Sequence, residues 1–475
     1  MLVEKKKYLL KNPRNLRSTV SNLSLPPEWI DNVENLLNEA DQTNKLRQHL
    51  SRKIGALKKD NQPIDNELSD MRQLSDRVQL LDDQIEDALA TGEQLAGSGD
   101  EEHEIPPATR QLPKFMQVIT DTADSAGLAS DNQPSVTITT EFDDKEWSEY
   151  VTSSAGNHIY HDLRWRHVIK TSFGQKTRYL LARDASERVV GVLPLAQLQS
   201  ALFGKFLISL PYFNYGGPLA DNDAIAGQLI SAAGAYSSEQ KLEHVELRET
   251  IERPGLQCKT HKISMILKLP ATVDDLMAGL GAKLRSQAGR AERAGATASF
   301  GGTELLEDFY YVFSRNMRDL GTPVYSKNFF RNILKTFPDE ACLHVVHIDG
   351  KPAAAGFLIA HRDTVEIPWA SSLRRYNNLS VNMMLYRSVL EWSINKGFEF
   401  FDFGRSSADS ATYRFKQQWG SEPVQLHWNY YLDEGNELPS LSPDNPKFAL
   451  FIAVWKRLPV FVSNLIGPHI VRNLP

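Results

Sequence analysis

Two cationic side chains lie close together in an aromatic-rich segment of the C-terminal third of the chain. Arg414 and Lys416 are separated by one residue, and Tyr413 and Phe415 alternate with them. In an extended segment, both cations would lie on one face and both rings on the other. Two cations framed by aromatic rings suit an anionic substrate or an oxyanion that forms during a reaction. An edge strand with solvated cations is the alternative interpretation of this run.

A candidate general base lies shortly before this pair. Asp402 belongs to an apolar run that stops at Gly404, a pattern typical of a buried strand and its end. A carboxylate at that place can accept a proton from an incoming amine or hydroxyl. Alternatively, an Asp beside a Gly binds backbone N–H groups of its own loop. His361 and His427 are weaker candidates, because a lone histidine on a strand is usually structural.

Length, charge and cysteine content narrow the possible functions. At 475 residues the chain has room for two or three domains, and 41% hydrophobic and 24% charged residues are typical of globular proteins. The net charge of -6 provides no general basic field, so nucleic acid would have to bind a local patch. Cys258 and Cys342 are far apart and have no CxxC neighbour, which argues against a disulfide framework and a zinc site. No metal is predicted.

The sequence carries no signal for export or for crossing a membrane. Residues 1–10 contain lysines without the apolar core of a secretory signal. No apolar run reaches the length of a membrane span. We therefore expect a cytoplasmic protein.

The N-terminal part predicts two long helices between residues 31 and 94. Apolar residues recur along 36–57 and again, by threes and fours, along 68–89. A polar turn with Pro63 separates the two segments. Apolar seams with charged flanks predict an antiparallel helical hairpin within residues 1–95. A coiled coil that forms a homodimer is the alternative.

The rest of the chain divides into a linker, two similar units and a tail. Residues 96–134 are rich in Gly, Ser, Asp, Glu and Pro and predict a flexible linker. Strand and helix patterns then alternate, with strand pairs that turn near Ser186 and at Asp349-Gly350. An α+β fold with two copies of one αβ unit, 135–270 and 271–432, follows from this pattern, before an amphipathic tail at 433–475.

Three motifs stand in residues 136–432, at Ser209–Pro218, Lys283–Gly295 and Tyr413–Gly420. They resemble motifs of the Fem family, the peptidyltransferases that build peptidoglycan cross-bridges. Lys283–Gly295 is similar to the family's basic helix and is expected to be helical. Ser209–Pro218 is similar to its Pro/Tyr/Gly substrate loop, and Tyr413–Gly420 to its Phe-Lys-x-x-Phe-Gly motif.

Three further runs resemble one branch of Fem-related proteins, found with bacterial exosortase and exopolysaccharide loci. They are Asn316–Val324, Pro368–Ser372 and Asp402–Ser406. The resemblance implies a tandem pair of GNAT-like acyltransferase domains that act without a bound cofactor. It leaves the substrate open.

The resemblance also implies roles for individual residues. Lys416 matches the family lysine thought to stabilise the developing oxyanion, and Arg414 would clamp a phosphate or carboxylate by paired hydrogen bonds. The other candidates would bind substrate. Lys283, Arg285 and Arg290 would hold the phosphates of an acyl carrier. Tyr212, Tyr215 and Trp369 would line a pocket for an acceptor sugar or peptide, and Arg405 is a further substrate-binding candidate. The alternatives are a solvated helix face for the basic residues and simple packing for the aromatic ones.

The acyl donor is inferred from a missing pattern. GNAT enzymes that use acyl-CoA carry an Arg/Gln-x-x-Gly-x-Gly/Ala loop ahead of a helix, where backbone amides bind pyrophosphate. Neither unit contains a good copy of this loop. Its absence favours aminoacyl-tRNA over acyl-CoA as the donor.

The N-terminal hairpin resembles the tRNA-binding arm of seryl-tRNA synthetases over roughly residues 1–115. The similarity lies in Met1-Leu2-Val3, Asn12–Leu16, Arg47–Lys59 and Ile105-Pro106-Pro107, in that order. No class II ATP-binding motif follows, so the resemblance implies an arm that holds tRNA without a synthetase domain. Its candidate tRNA-binding residues are Arg47, Arg52, Lys53, Lys58 and Lys59. Solvated coil positions are the alternative.

The tail adds a possible membrane contact. Residues 447–466 are mainly apolar, carry a basic and Trp-containing centre, and are too short and interrupted to span a bilayer. They would lie in a membrane interface or dock on the rest of the protein.

Together these features predict an aminoacyl- or acyltransferase. It would transfer an acyl group, from aminoacyl-tRNA, to a cell-envelope or exopolysaccharide precursor. Two alternatives stay open: an acyl-CoA-dependent enzyme that acylates a sugar, and a degenerate transferase that serves as a scaffold with a protein-binding coil.

Overall fold

The structure is a computed structural model that divides into two units, Met1–Pro106 and Pro107–Pro475. It describes residues 6–11, 15–20, 27–59, part of 67–89, 112–117, 136–200, 204–408, 410–433, 435–436, 438–439 and 446–474.

The first unit is helical. Its helices are α1 (Lys6–Lys11), α2 (Leu16–Thr19) and α3 (Pro27–Lys59). The first of the two predicted long helices is thereby confirmed, and α3 begins four residues earlier than the predicted pair. Its apolar residues pack with those of α1, α2 and residues 81–89, and the buried members are Leu9, Leu16, Val20, Trp29, Val33, Leu37, Ala40, Leu81, Ile85 and Leu89.

Contacts between α3 and the described residues of 67–89 run in opposite directions along the two segments. The Trp29 indole N–H donates to the Ala88 carbonyl (2.8 Å), Arg77 Nε donates to Glu39 (2.9 Å), and Lys53 pairs with Glu67 (3.0 Å). The predicted turn at 60–63 and nearly all of the predicted linker at 96–134 lie outside the described residues. The antiparallel hairpin stays a prediction.

The second unit is an α+β fold with two mixed sheets. Its strands are β1 (Thr137–Thr139), β2 (Lys176–Arg183), β3 (Val189–Ser200), β4 (Gly204–Ile208), β5 (Leu219–Ala220), β6 (His244–Glu249), β7 (Gln257–Lys259), β8 (Ile263–Lys268), β9 (Thr297–Gly301), β10 (Ala341–Ile348), β11 (Lys351–His361), β12 (Thr364–Ser372), β13 (Phe400–Ser406), β14 (Glu422–Gln425) and β15 (His427–Leu432).

The helices of this unit flank the sheets. They are α4 (Lys114–Gln117), α5 (Asp144–Ser153), α6 (Arg164–Phe173), α7 (Asp223–Glu239), α8 (Val273–Gly279), α9 (Ala282–Ala288), α10 (Arg290–Arg293), α11 (Leu306–Leu320), α12 (Lys327–Thr336), α13 (Val381–Asn395), α14 (Ala411–Gln417), α15 (Pro446–Trp455) and α16 (Val460–Val471); short 3-10 turns lie at Ile159–His161, Thr303–Leu305 and Arg374–Leu379.

The two halves repeat one order of elements. A strand, two helices, three strands, a helix and a strand occur as β1-α5-α6-β2-β3-β4-α7-β6 and again as β9-α11-α12-β10-β11-β12-α13-β13. In each half a helix connects two parallel strands, β4 with β6 and β12 with β13. The predicted α+β class with tandem halves is confirmed.

The sheets do not follow the two sequence units end to end. The first sheet has the order β1-β2-β3-β4-β6-β15-β7, with β5 beside β3, and the second has the order β14-β8-β13-β12-β11-β10-β9. Strand β8 comes from the stretch 135–270 but lies in the second sheet, and β15 comes from 271–432 but lies in the first. Each exchanged strand pairs with both of its neighbours. If the two halves were divided at residue 270, the backbone groups at these strand edges would have no partner.

The predicted extended segment around Arg414 and Lys416 is a helix. The Ser410 hydroxyl accepts from the Tyr413 N–H (3.1 Å), and α14 ends before Gly420, whose φ is 88°. Residues two apart on a helix differ by about 200° in direction. The prediction of two cations on one face is therefore wrong: Lys416 is buried and Arg414 is exposed.

The predicted basic helix within 283–295 is broken into α9 and α10 at Gly289. The side chains of Arg285 and Arg293 turn back onto the chain, where Arg285 donates to the Leu280 carbonyl and Arg293 to the Ser286 carbonyl (2.8 Å). These arginines satisfy carbonyls near the short helices instead of forming one continuous basic stripe.

Aromatic residues of both halves share one core. Its aromatic members include Phe329 and Phe330 of α12 together with Trp165, Phe213, Phe309, Phe313, Phe337 and Phe357. This packing joins α6 and the loop after β4 to the second half, and it fixes that loop against the second sheet. Among the described helices, none is long and apolar enough to cross a membrane.

Candidate functional site

The parallel strands β12 and β13 pair over only three positions. The register joins Thr364 to Phe400 and ends with Glu366 opposite Asp402. Beyond that point Pro368 has no N–H to donate, and Gly404 adopts a left-handed backbone with φ of 72°. The strands therefore stop pairing directly after two carboxylates.

Glu366 is buried and is held by side chains from the first half. The Tyr160 hydroxyl donates to Glu366 Oε2 (2.6 Å), and the Asn214 amide donates to Oε1 (3.0 Å). Asn214 belongs to the loop between β4 and β5, within the Pro/Tyr/Gly-containing run recognised in the sequence.

Asp402 is buried and accepts three hydrogen bonds. Its Oδ2 accepts from the Tyr215 hydroxyl (2.6 Å), and its Oδ1 accepts from the Ser264 hydroxyl (2.8 Å) and from the Gly404 N–H (2.7 Å). Asp402 thus binds a backbone N–H of its own loop, as one predicted alternative has it, and its role as a base stays a prediction.

The surroundings give the two carboxyls different protonation states. Burial, followed by the charge of Asp402, raises the pKa of Glu366 to about 8. Burial also raises the pKa of Asp402, while its three hydrogen-bond donors favour the ionised form. At neutral pH we expect the proton on Glu366 and the negative charge on Asp402, a division that allows Asp402 to act as a base.

Lys416 is buried beside this pair. Its ammonium donates to the carbonyls of Gly404 (2.8 Å) and Arg405 (2.9 Å). Burial lowers the pKa of Lys416 to about 8, against the charge of Asp402, which raises it. The ammonium therefore holds the backbone at the end of β13 and places positive charge near Asp402.

A cavity of about 580 Å³ opens in the first half, on the other side of Tyr215. Its wall includes Gly216-Gly217 and the first turn of α7, whose N-cap is Asn222. A side chain at Gly217 would collide with Glu249, so glycine is required for this wall to close against β6.

Aromatic rings line one side of the cavity. Phe115 packs on His158 (4.3 Å between ring centroids) and on Tyr215 (5.3 Å). Burial lowers the pKa of His158, so its imidazole is neutral. Tyr215 lines the cavity and also donates to Asp402, and it therefore connects the cavity with the buried carboxylates.

The two arginines of the cavity wall are paired with carboxylates. Arg253 binds Glu249 (2.6 Å) and Asp223 (3.0 Å), and Arg248 binds Glu246 (2.8 Å). A cavity with balanced charges and aromatic walls suits a neutral polar ligand better than a strongly charged one.

Two arginines contact the ring of Trp428 near the site, and of these Arg405 is exposed whereas Arg248 is fully buried. The guanidinium of Arg405 lies 5.6 Å from the ring centroid of Trp428, and that of Arg248 lies 4.5 Å from the same centroid. The Arg405 side chain reaches water, yet desolvation by the surrounding protein lowers its pKa to about 10. Arg248 Nη2 is buried with no hydrogen-bond partner among the described residues.

Two predicted pocket residues belong to the aromatic core instead. Tyr212 is buried against Phe173 and donates to the Arg472 carbonyl (2.7 Å), so it does not reach the cavity. Trp369 packs on Phe330 (5.1 Å) within the same core. The tight loop turns Tyr212 and Tyr215 to different sides, and only Tyr215 lines the cavity.

The predicted carrier-binding cations lie at the surface, apart from the carboxylates. Lys283, Arg285 and Arg290 are exposed, and Arg290 donates to the Asn378 carbonyl (3.4 Å) in the turn before α13. In the first unit, Arg52 and Lys53 are exposed and Arg47 is half-buried, whereas the side chains of Lys58 and Lys59 lie outside the described residues.

Several residues of the site were missed in the sequence. They are Glu366, Tyr160, Asn214, Ser264 and His158. His158 and Tyr160 are close together in the sequence, but both lie far from Asn214, Ser264 and Glu366. Of the five, only Asn214 stands in a motif, the run 209–218. Within the described parts of the chain, His, Cys, Asp and Glu form no group of three or more that would hold a metal.

Comparisons with known proteins agree with this fold. Residues 281–417 match the model of the acetyltransferase (GNAT) domain. No curated protein matches the chain.

Similar solved structures include FemX, with 13% identity, a TM-score of 0.49 and coverage of 62% of this chain and 97% of FemX. A tandem GNAT protein from the clavulanic acid biosynthesis pathway has 12% identity, a TM-score of 0.43 and coverage of 64% and 100%. The C-terminal domain of a putative lysylphosphatidylglycerol synthetase from Agrobacterium fabrum has 12% identity, a TM-score of 0.41 and coverage of 60% and 91%. Glu366, Asp402 and Lys416 thus all lie within the part of this chain that matches an acetyltransferase (GNAT) domain.

Proposed function

We propose that this protein is an acyltransferase whose reaction takes place where β12 and β13 stop pairing. The observation that carries the proposal is the contact between Tyr215, which lines the cavity, and Asp402, which lies at the end of the strand pairing. It connects a space for an acceptor with a base. The GNAT match over 281–417 supports the same reaction class.

The cavity in the first half would hold the acceptor. Its balanced charges and the rings of Phe115 and Tyr215 suit a sugar or another neutral polar group that carries an amine or hydroxyl. An anionic part of the acceptor would lie at Arg405, which is the exposed one of the two arginines that contact Trp428. These features support a cell-envelope or exopolysaccharide precursor as acceptor.

The transfer step follows from the contacts of Tyr215. The acceptor nitrogen or oxygen attacks the carbonyl of the donor and passes its proton to Tyr215 as Tyr215 passes its own to Asp402. Lys416 supplies positive charge as the carbonyl oxygen becomes negative. The bond from the carbonyl carbon to the carrier then breaks, and the carrier oxygen or sulfur takes the proton back.

Aminoacyl-tRNA is the first candidate donor. The turn before α13 carries Arg374 and Arg375, both exposed, and contains no glycine, unlike a loop that binds pyrophosphate through its backbone. Arg290 contacts the same turn and would add to a phosphate-binding surface. The exposed Arg52 and Lys53 of α3 support a further contact with the tRNA.

Acyl-CoA is the second candidate donor. The GNAT match favours it, because acetyltransferases of this class use acyl-CoA as substrate. Where β12 and β13 separate, their backbone groups would pair with the amides of an extended pantetheine arm.

A transfer assay with both donors tests the proposal. The full chain is incubated with bacterial tRNA charged with labelled amino acids, or with short-chain acyl-CoA, and with nucleotide-activated or lipid-linked sugars. Mass spectrometry then detects an acceptor that has gained the acyl group. Tyr215→Phe keeps the ring but removes the proton path, and we expect transfer to fall about a hundredfold.

Tyr212→Phe is the matched control. It removes a phenol from the same loop, but one that binds the Arg472 carbonyl instead of Asp402. We expect full activity from this variant. Transfer by neither donor would contradict the acyltransferase proposal, and transfer from acyl-CoA alone would contradict the tRNA donor.

A further inference from the structure

The two C-terminal helices are fixed to the second unit along one side. The Arg318 guanidinium donates to the Leu458 carbonyl (2.8 Å) between α15 and α16, and Gln175 donates to the Arg472 carbonyl (2.7 Å). A side chain at Gly467 would collide with the Val324 backbone, so α16 lies close against the segment after α11. The tail is therefore a docked part of the fold, as one of its two predicted interpretations requires.

The other side of the same helices is apolar and exposed. Phe461 and Leu465, one turn apart on α16, are 74% and 70% exposed, and Val454 on α15 is 53% exposed. Phe451 and Ile466 are also exposed. An apolar surface of this kind costs free energy in water, which is typical of a surface that meets a partner or a membrane.

The charges around this surface have one sign. Between residues 446 and 475 the sequence has four Lys or Arg residues and no Asp or Glu, in a chain whose net charge is -6. Lys456 and Arg457 are exposed at the junction of the two helices. Of the acidic residues of the neighbouring α11, Asp319 pairs with Arg318 and Glu307 with Lys327, and Asp308 contacts the His347 imidazole.

We propose that the exposed face of α15 and α16 binds the surface of an anionic phospholipid bilayer. Phe461, Leu465 and Val454 would enter the interface between headgroups and acyl chains, while Lys456 and Arg457 contact lipid phosphates. A protein partner of low charge would not explain a segment of 30 residues that contains cations and no acid.

The docked side of the helices contacts the loop of the candidate site, so lipid binding would bring that site near a membrane. The Arg472 carbonyl accepts from Tyr212, which is in the same loop as Asn214 and Tyr215. A bilayer at α16 would therefore lie near the loop that holds the carboxylates. This placement would give the site access to an acceptor at a membrane surface, but lipid binding itself does not depend on the acyl-transfer proposal.

Flotation with vesicles tests the inference on the full chain. Vesicles of phosphatidylcholine alone are compared with vesicles that also contain phosphatidylglycerol, at low and high salt. We expect flotation with the anionic vesicles and its loss in the double variant Phe461→Ser/Leu465→Ser. Replacing Lys456 or Arg457 by Gln should weaken binding about fivefold each.

Leu46→Ser provides the matched control, because Leu46 is an exposed leucine of the first unit. It should bind vesicles as the unchanged protein does, and all variants should unfold at the same temperature. Absence of flotation, or flotation that the double variant keeps, would overturn the inference. The inference would also be overturned if the unchanged protein did not bind vesicles but self-associated, and the double variant did not self-associate. A second copy of the chain would then cover the exposed face.

Discussion

The two halves of residues 136–432 contain the same strand–helix–strand crossover but differ at the point where their parallel strands meet. In the first half, β4 pairs with β6 up to Ile208 and Glu246. In the second half, β12 pairs with β13 up to Glu366 and Asp402. A buried carboxylate stands at the last paired position in both, so the difference lies in what surrounds it.

The first half neutralises and closes this position. Glu246 forms an ion pair with Arg248 (2.8 Å), and both side chains are buried. Ser209 continues the contact between the strands, because its N–H donates to the Glu246 carbonyl (2.9 Å) and its hydroxyl accepts from the Arg248 N–H (2.9 Å). The result is a fixed structural ion pair.

In the second half, no arginine among the described residues forms an ion pair with Glu366 or Asp402. Glu366 and Asp402 receive hydrogen bonds from neutral phenols, an amide and a hydroxyl, and the strands separate beyond them. Two neighbouring carboxyls in a buried place cannot both ionise easily, so one keeps a proton near neutral pH. The same fold element thus forms a buried ion pair in one half, whereas in the other it holds two carboxyls that, under the proposed function, carry out proton chemistry.

The largest expected effect comes from Asp402→Asn. Asn keeps an oxygen that accepts from Ser264 and the Gly404 N–H but cannot take a proton, so we expect transfer to fall about a thousandfold with little loss of stability. Steady-state rates and thermal unfolding measure the two effects. Full activity in this variant would show that Asp402 does not act as the base, and the proposed functional difference between the two halves would then be refuted.

Glu246→Gln tests the opposite half. It leaves the buried Arg248 guanidinium without its negative partner, and we expect a loss of about 3 kcal/mol in the free energy of unfolding. Urea denaturation measures this loss. If the variant were as stable as the unchanged protein, the structural role of the first-half pair would be refuted.

A further effect is expected on the pH dependence of stability. Because the pKa of Glu366 is raised to about 8, the folded protein keeps a proton between pH 4.5 and 8 that the unfolded chain releases. The folded state therefore binds more protons, and stability falls as the pH rises through this range, by at most about 1.4 kcal/mol per unit from this group.

Glu366→Gln removes this contribution, and denaturation curves measured from about pH 5 to about pH 8 should show a flatter dependence. An unchanged slope would mean that Glu366 ionises normally, which would weaken the contrast between the two halves.

The smallest effect concerns Lys416. Its positive charge lowers the pKa of Asp402, against burial, which raises it. Lys416→Met should therefore move the acid limb of the pH–activity profile upward by about one unit, in addition to any loss of rate. A profile that keeps its position would show that Lys416 holds the Gly404 and Arg405 carbonyls without tuning the base.

Some parts of the fold followed from local patterns. The strand pairs around Ser186 and Asp349-Gly350, and the long helix α3, were predicted because turn residues and apolar periodicity are local signals. The prediction of an extended segment at 411–417 is wrong, because rings and cations alternate there as in a strand while the structure forms a helix capped by Ser410.

The candidate site was predicted only in part. Asp402, Tyr215 and Lys416 were recognised and lie close together, whereas Tyr212 and Trp369 were assigned to the pocket and pack in the core. The sequence could not distinguish Tyr212 from Tyr215, because their directions depend on a tight loop in which Tyr212 has φ of 78°.

By itself the sequence determined the α+β class, the tandem halves and the residue types available for acyl transfer, since these depend on local periodicity and on composition. Only the tertiary structure decided that β8 and β15 exchange sheets and that Tyr160, Asn214 and Tyr215 of one half meet Glu366 and Asp402 of the other. The physical reason is that pKa values and proton paths depend on burial and on contacts between residues up to about 200 positions apart, which no local pattern encodes.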